Sequence, residues 1–282
     1  MTAFVDVMHQ GTPHAIAAFH GDDWLLDPGP ESAHETLLAG LPEGFEAKRI
    51  LLTHIHFDHA GATGRLLQRW PGAEVWVHER GAPHMIDPER LVNSARRLYG
   101  DDFDRLWGEV IPIAEDHVRV LRGGEAIDGW RVEYTPGHAS HHVCYLNEAS
   151  GTAFCGDVAG VRVGRGPALP PTPPPDIDVE LWLQSIETVR AWSPAELACT
   201  HFGTYTDVEA QLDQVASNLS ALADFARDTD LEGFSRRVRE LVEAQSPDEE
   251  TRAAYERANP PDTLFPGLDR YWRKRAQAAE PG

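Results

Sequence analysis

One stretch constrains this chain more than any other: Thr53-His54-Ile55-His56-Phe57-Asp58-His59, directly after the apolar run Ile50-Leu51-Leu52. It places four metal-ligand side chains within six residues. Neutral imidazoles and a carboxylate are the ligand set of first-row transition metals, and closely spaced ligands need a rigid element to aim them. An apolar strand supplies that element. His54 and His56 alternate as side chains at a strand end do, so a tight turn lets both approach one ion. Asp58 and His59 follow once the chain has turned and aim at a different point, which predicts two metals close together.

Three further segments share this grammar. Thr135-Pro136-Gly137-His138 follows the strand-like Trp130-Arg131-Val132-Glu133-Tyr134. Phe154-Cys155-Gly156-Asp157 follows a short apolar run, and Cys199-Thr200-His201-Phe202-Gly203 follows another. Each is a short strand with a ligand-type residue at its exit, beside Gly or Pro. Strands that end this way at one sheet edge bring residues distant in sequence to a single site.

On these residues the chain resembles the metallo-β-lactamase superfamily, in particular its glyoxalase-II-like hydrolases. That family's order of Asp, then H-x-H-x-D-H, then His, Asp and His reads here as Asp27, His54/His56/Asp58/His59, His138, Asp157 and His201. The resemblance covers about residues 1–206, with Asp27-Pro28-Gly29 where the family usually has Asp-Thr-Gly. It implies an α/β fold, the αββα four-layer sandwich, with one metal on His54, His56 and His138. A second metal would sit on Asp58, His59 and His201, with Asp157 bridging both. Asp27 would orient ligands rather than bind metal, and His142 is expected to support the site by a hydrogen bond. The ions would be two divalent metals, zinc in the first place, with iron or manganese also suited to the set.

Two cations a few ångströms apart can hold a bridging hydroxide at neutral pH, because each lowers the pKa of bound water. The expected reaction is hydrolysis of an activated acyl bond in a small molecule: a thioester, a lactone or a similar ester. Asp58 would orient the nucleophile and carry its proton to the leaving group. Two other readings stay open at this point. Persulfide dioxygenases of the same superfamily keep most of these residues but use a single iron, on the equivalents of His54, His138 and Asp157. A non-catalytic metal-binding protein is the third. Flavodiiron-type reductases are disfavoured, since they carry a carboxylate where His56 stands and an additional flavin domain.

Charge narrows the substrate. A net charge of -20 with no basic stripe argues against nucleic acid, whose phosphates must be neutralised by Lys and Arg. No apolar run approaches the roughly 20 residues that cross a bilayer, and Met1–Gln10 lacks the pattern of a secretory signal. Cys144, Cys155 and Cys199 are an odd, scattered set inside or beside apolar strands, read as buried thiols of a cytoplasmic protein.

Strands are expected at 15–19, 24–26, 50–53 and 74–78, with a helix over 60–70 and two short ones over 88–99 and 101–107. Segments 118–121, 131–135, 143–146 and 152–155 are expected to form an antiparallel run, and 178–192 an amphipathic helix. After His201 the texture changes. Val208, Leu212, Val215, Leu219 and Leu222 recur at spacings of four and three, the seam of a long helix, and Leu231, Phe234, Val238 and Leu241 begin another. The expected organisation is a catalytic domain over 1–206 and a helical extension over 207–282 packed on it. That extension is also a candidate lid or homodimer interface. The proline-rich Gly164–Pro175 reads as a stiff wall beside the site. Arg162 and Arg165 flank it as candidate contacts for an anionic substrate group. His9, His14, His20, His34, His78, His84 and His117 fit no ligand pattern and are assigned to the surface or to packing.

Overall fold

Short strands rich in aliphatic and aromatic side chains alternate with amphipathic helices, and such elements bury their apolar faces by stacking in layers. The computed structural model describes residues 2–246 and 248–279. Met1, Pro247 and the last three residues of the expected helical extension lie outside the described residues. The strands are β1 (Ala3–Asp6), β2 (Ala17–His20), β3 (Trp24–Leu26), β4 (Arg49–Leu51), β5 (Glu74–His78) and β6 (Val118–Leu121). They form one sheet in chain order. A second sheet has the order β12-β11-β10-β9-β8-β7. Its members are β7 (Glu125–Ile127), β8 (Trp130–Tyr134), β9 (Val143–Asn147), β10 (Thr152–Phe154), β11 (Glu196–Cys199) and β12 (Gly203–Tyr205).

Between the sheets lie Phe19, Leu26, Leu51, Trp76, Trp130, Tyr145 and Phe154, all buried. Helices α1 (His34–Gly40), α2 (Phe57–Ala60), α3 (Thr63–Arg69) and α4 (Ala82–Ile86) contribute apolar residues to a second core on the outer face of the first sheet. Two further helices, α5 (Glu89–Tyr99) and α6 (Phe103–Trp107), precede β6. On the outer face of the second sheet lies α7 (Val179–Ala191), followed by α8 (Val208–Arg227), α9 (Leu231–Gln245), α10 (Glu249–Ala258) and α11 (Pro261–Ala279). Trp182 and Ile186 of α7 share one core with Leu212, Val215, Leu219, Phe234, Tyr255 and Leu268. The layers are therefore helix, sheet, sheet, helix, as expected, with the C-terminal helices joined to the outer helical layer.

Two expectations need correction. Residues 118–121 do not join an antiparallel run; β6 pairs in parallel with β5 in the first sheet. A parallel neighbour requires a long crossover, and the segment carrying α4, α5 and α6 provides it. The helix expected over 60–70 is two, α2 and α3. Gly64 lies against the Ile111 carbonyl, where an added Cβ would stand 2.2 Å from the oxygen, so this segment packs backbone to backbone.

Candidate metal centre

The first-sheet strands β3 and β4 and the second-sheet strands β8, β10 and β11 all end at the same rim. Parallel pairing of β3 with β4 and of β10 with β11 points these exits in common directions. Past them stand Asp27, His54, His138, Asp157 and His201. Asp58 and His59 ride on the first turn of α2. Gly137 permits the approach of β8's exit to α7: its φ is +128°, and a Cβ there would stand 2.3 Å from the Trp182 backbone nitrogen.

The structure brings the seven proposed ligands into two groups. His54, His56, His138 and Asp157 converge in one, and Asp58, His59 and His201 in the other. In the first, His56 Nδ1 lies 3.0 Å from His54 Nε2 and 3.1 Å from His138 Nε2. Asp157 divides its carboxylate: Oδ2 is 3.1 Å from His138 Nε2, while Oδ1 is 3.3 Å from His59 Nε2 and 3.6 Å from His201 Nε2. Asp58 Oδ2 completes the second group at 3.3 Å from His201 Nε2. His54, His59, His138 and His201 are buried, whereas His56 and Asp58 are partly exposed and mark the opening.

Each buried ring is held from behind, and the hold decides its tautomer. His59 Nδ1 donates to Asp27 Oδ2 at 2.8 Å, His138 Nδ1 to the Pro171 carbonyl at 2.9 Å, and His201 Nδ1 to the Ala15 carbonyl at 2.7 Å. Thr53 Oγ1 donates to Asp27 Oδ2 at 2.7 Å and so accepts from His54 Nδ1 at 3.1 Å. A ring that donates through Nδ1 turns the lone pair of Nε2 toward the centre. Asp27 itself is fully buried with φ +47° and also accepts from Thr53 N and Thr200 Oγ1, both at 2.8 Å. His142 is where a supporting residue should be: Nδ1 meets Thr135 Oγ1 at 2.9 Å, and Nε2 accepts from the Asp157 amide at 3.3 Å.

The electrostatics of the two groups differ. Burial and the neighbouring His59 and His56 hold His54 well below the usual histidine range, and burial with His138 pushes His56 down to about 4. Burial opposes charge on His59 and His201 too, but Asp157 overrides it and raises both. Burial likewise opposes charge on Asp157, yet His59 and His138 hold its carboxyl well below the carboxylate range. Cations suit such a place. His59 Nε2 and Asp157 Oδ1 are buried without a hydrogen-bond partner among the described residues, and buried polar atoms are rarely left so. A divalent ion held by these residues would satisfy both atoms, and the N and O donors present are ones that zinc, iron and manganese accept.

Comparison with known proteins places the chain in a family. Residues 16–201 match the family model of the metallo-β-lactamase superfamily. The chain belongs to the metallo-β-lactamase superfamily. By class it is a metallo-hydrolase. The metallo-β-lactamase fold-containing protein ST1585 of Sulfurisphaera tokodaii is 32% identical over 177 residues, covering 60% of this chain and 66% of its own length. Its solved structure superposes with a TM-score of 0.70 at 21% identity, over 95% of this chain and 97% of that one. A hydroxyacylglutathione hydrolase of Synechococcus sp. is 30% identical over 202 residues, 68% of this chain and 69% of its own. The chain thus spans about two-thirds of the length of these curated relatives. TTHA1623, solved in a di-iron-bound form, has the same fold at a TM-score of 0.55 and 23% identity, over 71% of this chain and 93% of that one.

Other expectations meet a mixed outcome. Arg162 is engaged elsewhere: its guanidinium pairs with Asp207 at 2.9 Å, bonds Gln211 at 2.8 Å and lies over the Tyr205 ring, so it is not free to meet a substrate anion. Arg165 is exposed on the proline-rich loop. That loop does border the site, through the Pro171 carbonyl on His138. It is also tied to the terminal helices: Tyr255 Oη donates to the Pro167 carbonyl at 2.7 Å, and Thr172 Oγ1 to that of Leu264 at 3.1 Å. Much of it is buried, and proline suits a buried irregular segment because it brings no N–H to satisfy. Cys155 turns from the metal groups, its thiol lying 3.4 Å from the Ala153 carbonyl, and all three cysteines are free and buried. No helix among the described residues is long and apolar enough to cross a membrane.

His9, assigned to the surface or to packing, is a packing residue: it is buried and stacks on Trp107. Sequence reading missed Thr53 and Thr200 as partners of Asp27. Their one available signal is a threonine directly before a ligand histidine at both strand exits.

Proposed function

We propose that this protein is a binuclear metal-dependent hydrolase of an activated acyl bond, a thioester, lactone or similar ester, in a small molecule. One observation carries the reading: the Asp157 carboxylate is shared, one oxygen toward His138 and the other toward His59. His54, His56 and His138 would hold one ion, and Asp58, His59 and His201 the other. Bound there, two divalent ions supply Lewis acidity that acidifies water and polarises an acyl carbonyl. Asp58 is partly exposed and anchored through one oxygen to His201, so it orients the attacking water and carries its proton to the leaving atom. Burial of His54, His59, His138 and His201 keeps bulk water from the inner side and fixes the direction of attack. Zinc is the first choice of metal, and the di-iron form of TTHA1623 supports iron as the second. The likeness to a hydroxyacylglutathione hydrolase favours thioesters as the first substrates to screen. The terminal helices, residues 207–282, are proposed to pack on the catalytic unit rather than to supply ligands.

The test is metal per chain on protein purified without added metal, followed by hydrolysis of a thioester and lactone panel. About two ions with turnover upholds the reading. About one iron, with oxygen uptake on a persulfide, replaces it with a mononuclear dioxygenase. His56→Ala is expected to lose the ion of the first group and the activity with it; two tightly held ions in that variant refute the ligand assignment.

A further inference from the structure

His141 stands at the metal centre without a task in the chemistry above. It belongs to neither ligand group. It nevertheless lies against the first. Its ring centroid is 5.6 Å from that of His56, with the planes 89° apart, and 6.1 Å from that of His54, with the planes 12° apart. Its side chain is partly exposed, as that of His56 is, so both border the opening.

Three sides of this residue are held. At its base, Gly81 lets the chain past β5 approach: a Cβ there would stand 3.5 Å from that of His141 and 2.9 Å from Ile55 Cγ2. Along one edge, Nδ1 accepts from the Ile55 N–H at 3.4 Å. One ring face lies nearly parallel to His54. An Nδ1 that accepts carries no proton, so the ring is neutral and has its hydrogen on Nε2. That N–H has no hydrogen-bond partner among the described residues and, unlike His59 Nε2, it is not sealed from solvent. The opening therefore has a free donor on the flank of the first group and a carboxylate, Asp58, on the flank of the second.

We propose that His141 is a catalytic residue whose Nε2–H donates to the acyl oxygen of the substrate. This rests on the acyl-hydrolase reading. With Nδ1 engaged, the ring can only donate, so what it meets must accept. In an ester or thioester the strongest acceptor is the acyl oxygen, and its negative charge grows as water adds to the carbon. A donor already in place stabilises that charged oxygen more than the neutral carbonyl, and the difference lowers the barrier. The two flanks then divide the work. His141 serves the acyl oxygen, and Asp58 serves the attacking water and the leaving atom.

The experiment compares wild type with His141→Phe, which keeps a ring without a donor, and His141→Gln, which restores an N–H, at matched metal content. Two probes are titrated into the metal-loaded proteins by calorimetry. Methylphosphonate is a stable tetrahedral anion with several acceptor oxygens, and ethanethiolate ligates metal without any. His141→Phe is expected to weaken methylphosphonate by about 10–100-fold, the worth of a hydrogen bond to a charged group, and to leave ethanethiolate within about twofold. His141→Gln should regain most of the loss. With S-butyl thioacetate, kcat should fall by about 10–100-fold in His141→Phe while KM stays within about threefold. Equal binding of methylphosphonate by wild type and His141→Phe overturns the proposal, as does failure of wild type to bind it. Equal weakening of both probes in both variants also overturns it, since the ring would then only brace the ligands. If the methylphosphonate loss and its rescue hold while no thioester is cleaved, the donor stands and the hydrolase reading alone falls. If wild type and His141→Phe cleave the thioacetate alike, the hydrolase reading stands and the proposal falls.

Discussion

Asp27→Asn removes one atom's worth of chemistry from the support of the centre and leaves its shape unchanged. Asparagine tolerates a left-handed backbone at least as well as aspartate, so φ +47° adds no strain of its own. The carboxylate accepts four bonds: one on Oδ1 from Thr53 N, and three on Oδ2, from Thr53 Oγ1, Thr200 Oγ1 and His59 Nδ1. An amide has a single oxygen. Turned toward the three donors, it leaves its NH2 facing the Thr53 N–H, donor against donor in a fully buried place. That orphaned pair costs about 1–3 kcal/mol, and the remaining bonds each lose about 1 kcal/mol of charge assistance. The expected loss is about 4–6 kcal/mol, a large share of the roughly 5–15 kcal/mol that holds a domain. Urea unfolding in chelator at pH 7.5 measures it without the metal contribution. Metal titration should then show affinity at the His59 group weakened by about 10–100-fold, because a neutral amide oxygen orients the ring and raises its basicity less than the carboxylate does. A chelated variant within about 1 kcal/mol of wild type refutes the argument.

Other perturbations follow from single contacts. Gly137→Ala drives a Cβ to 2.3 Å from the Trp182 backbone nitrogen at φ +128°, and should cost about 3 kcal/mol or more and displace His138, read by melting temperature and metal content. His9 carries a pH signature. Folding lowers its pKa from 6.5 to about 4, so the folded state refuses a proton that the unfolded chain accepts. Its contribution is intact above pH 6.5 and lost as pH falls toward 4, which should cost wild type up to about 3 kcal/mol relative to His9→Phe. Parallel stability curves for the two proteins across that window would contradict it. Tyr255→Phe removes the hydroxyl that donates to Pro167 and accepts from Val163 N, and should cost about 1–3 kcal/mol in urea unfolding.

The candidate ligands that the structure gathers were legible because each stands at or just past the end of an apolar strand, where the chemistry of one residue breaks a local pattern. The long seam of Val208 to Leu222 was legible for the same reason: a helix repeats its face within the span of its own residues. What stayed hidden depends on distant partners. The pairing of 118–121 follows from where a long crossover returns the chain, and nothing in those four residues encodes it. His9 sits in a turn with no periodicity, and its burial is created by Trp107, far along the chain. Arg162 looked free because its partners, Asp207 and Gln211, lie at the start of α8, more than forty residues later.

The proline-rich strap also sets an order of events. His138 leaves the ribosome well before Tyr255 and Leu264, the residues to which its backing segment is tied. Folding during synthesis proceeds from the N-terminus, so every ligand is made before the strap that steadies one of them has anything to hold. A chain that stops short of α10 and α11 would carry all seven ligands and yet an unbraced His138. In this protein, full metal affinity would then report that translation has passed α10 and reached α11.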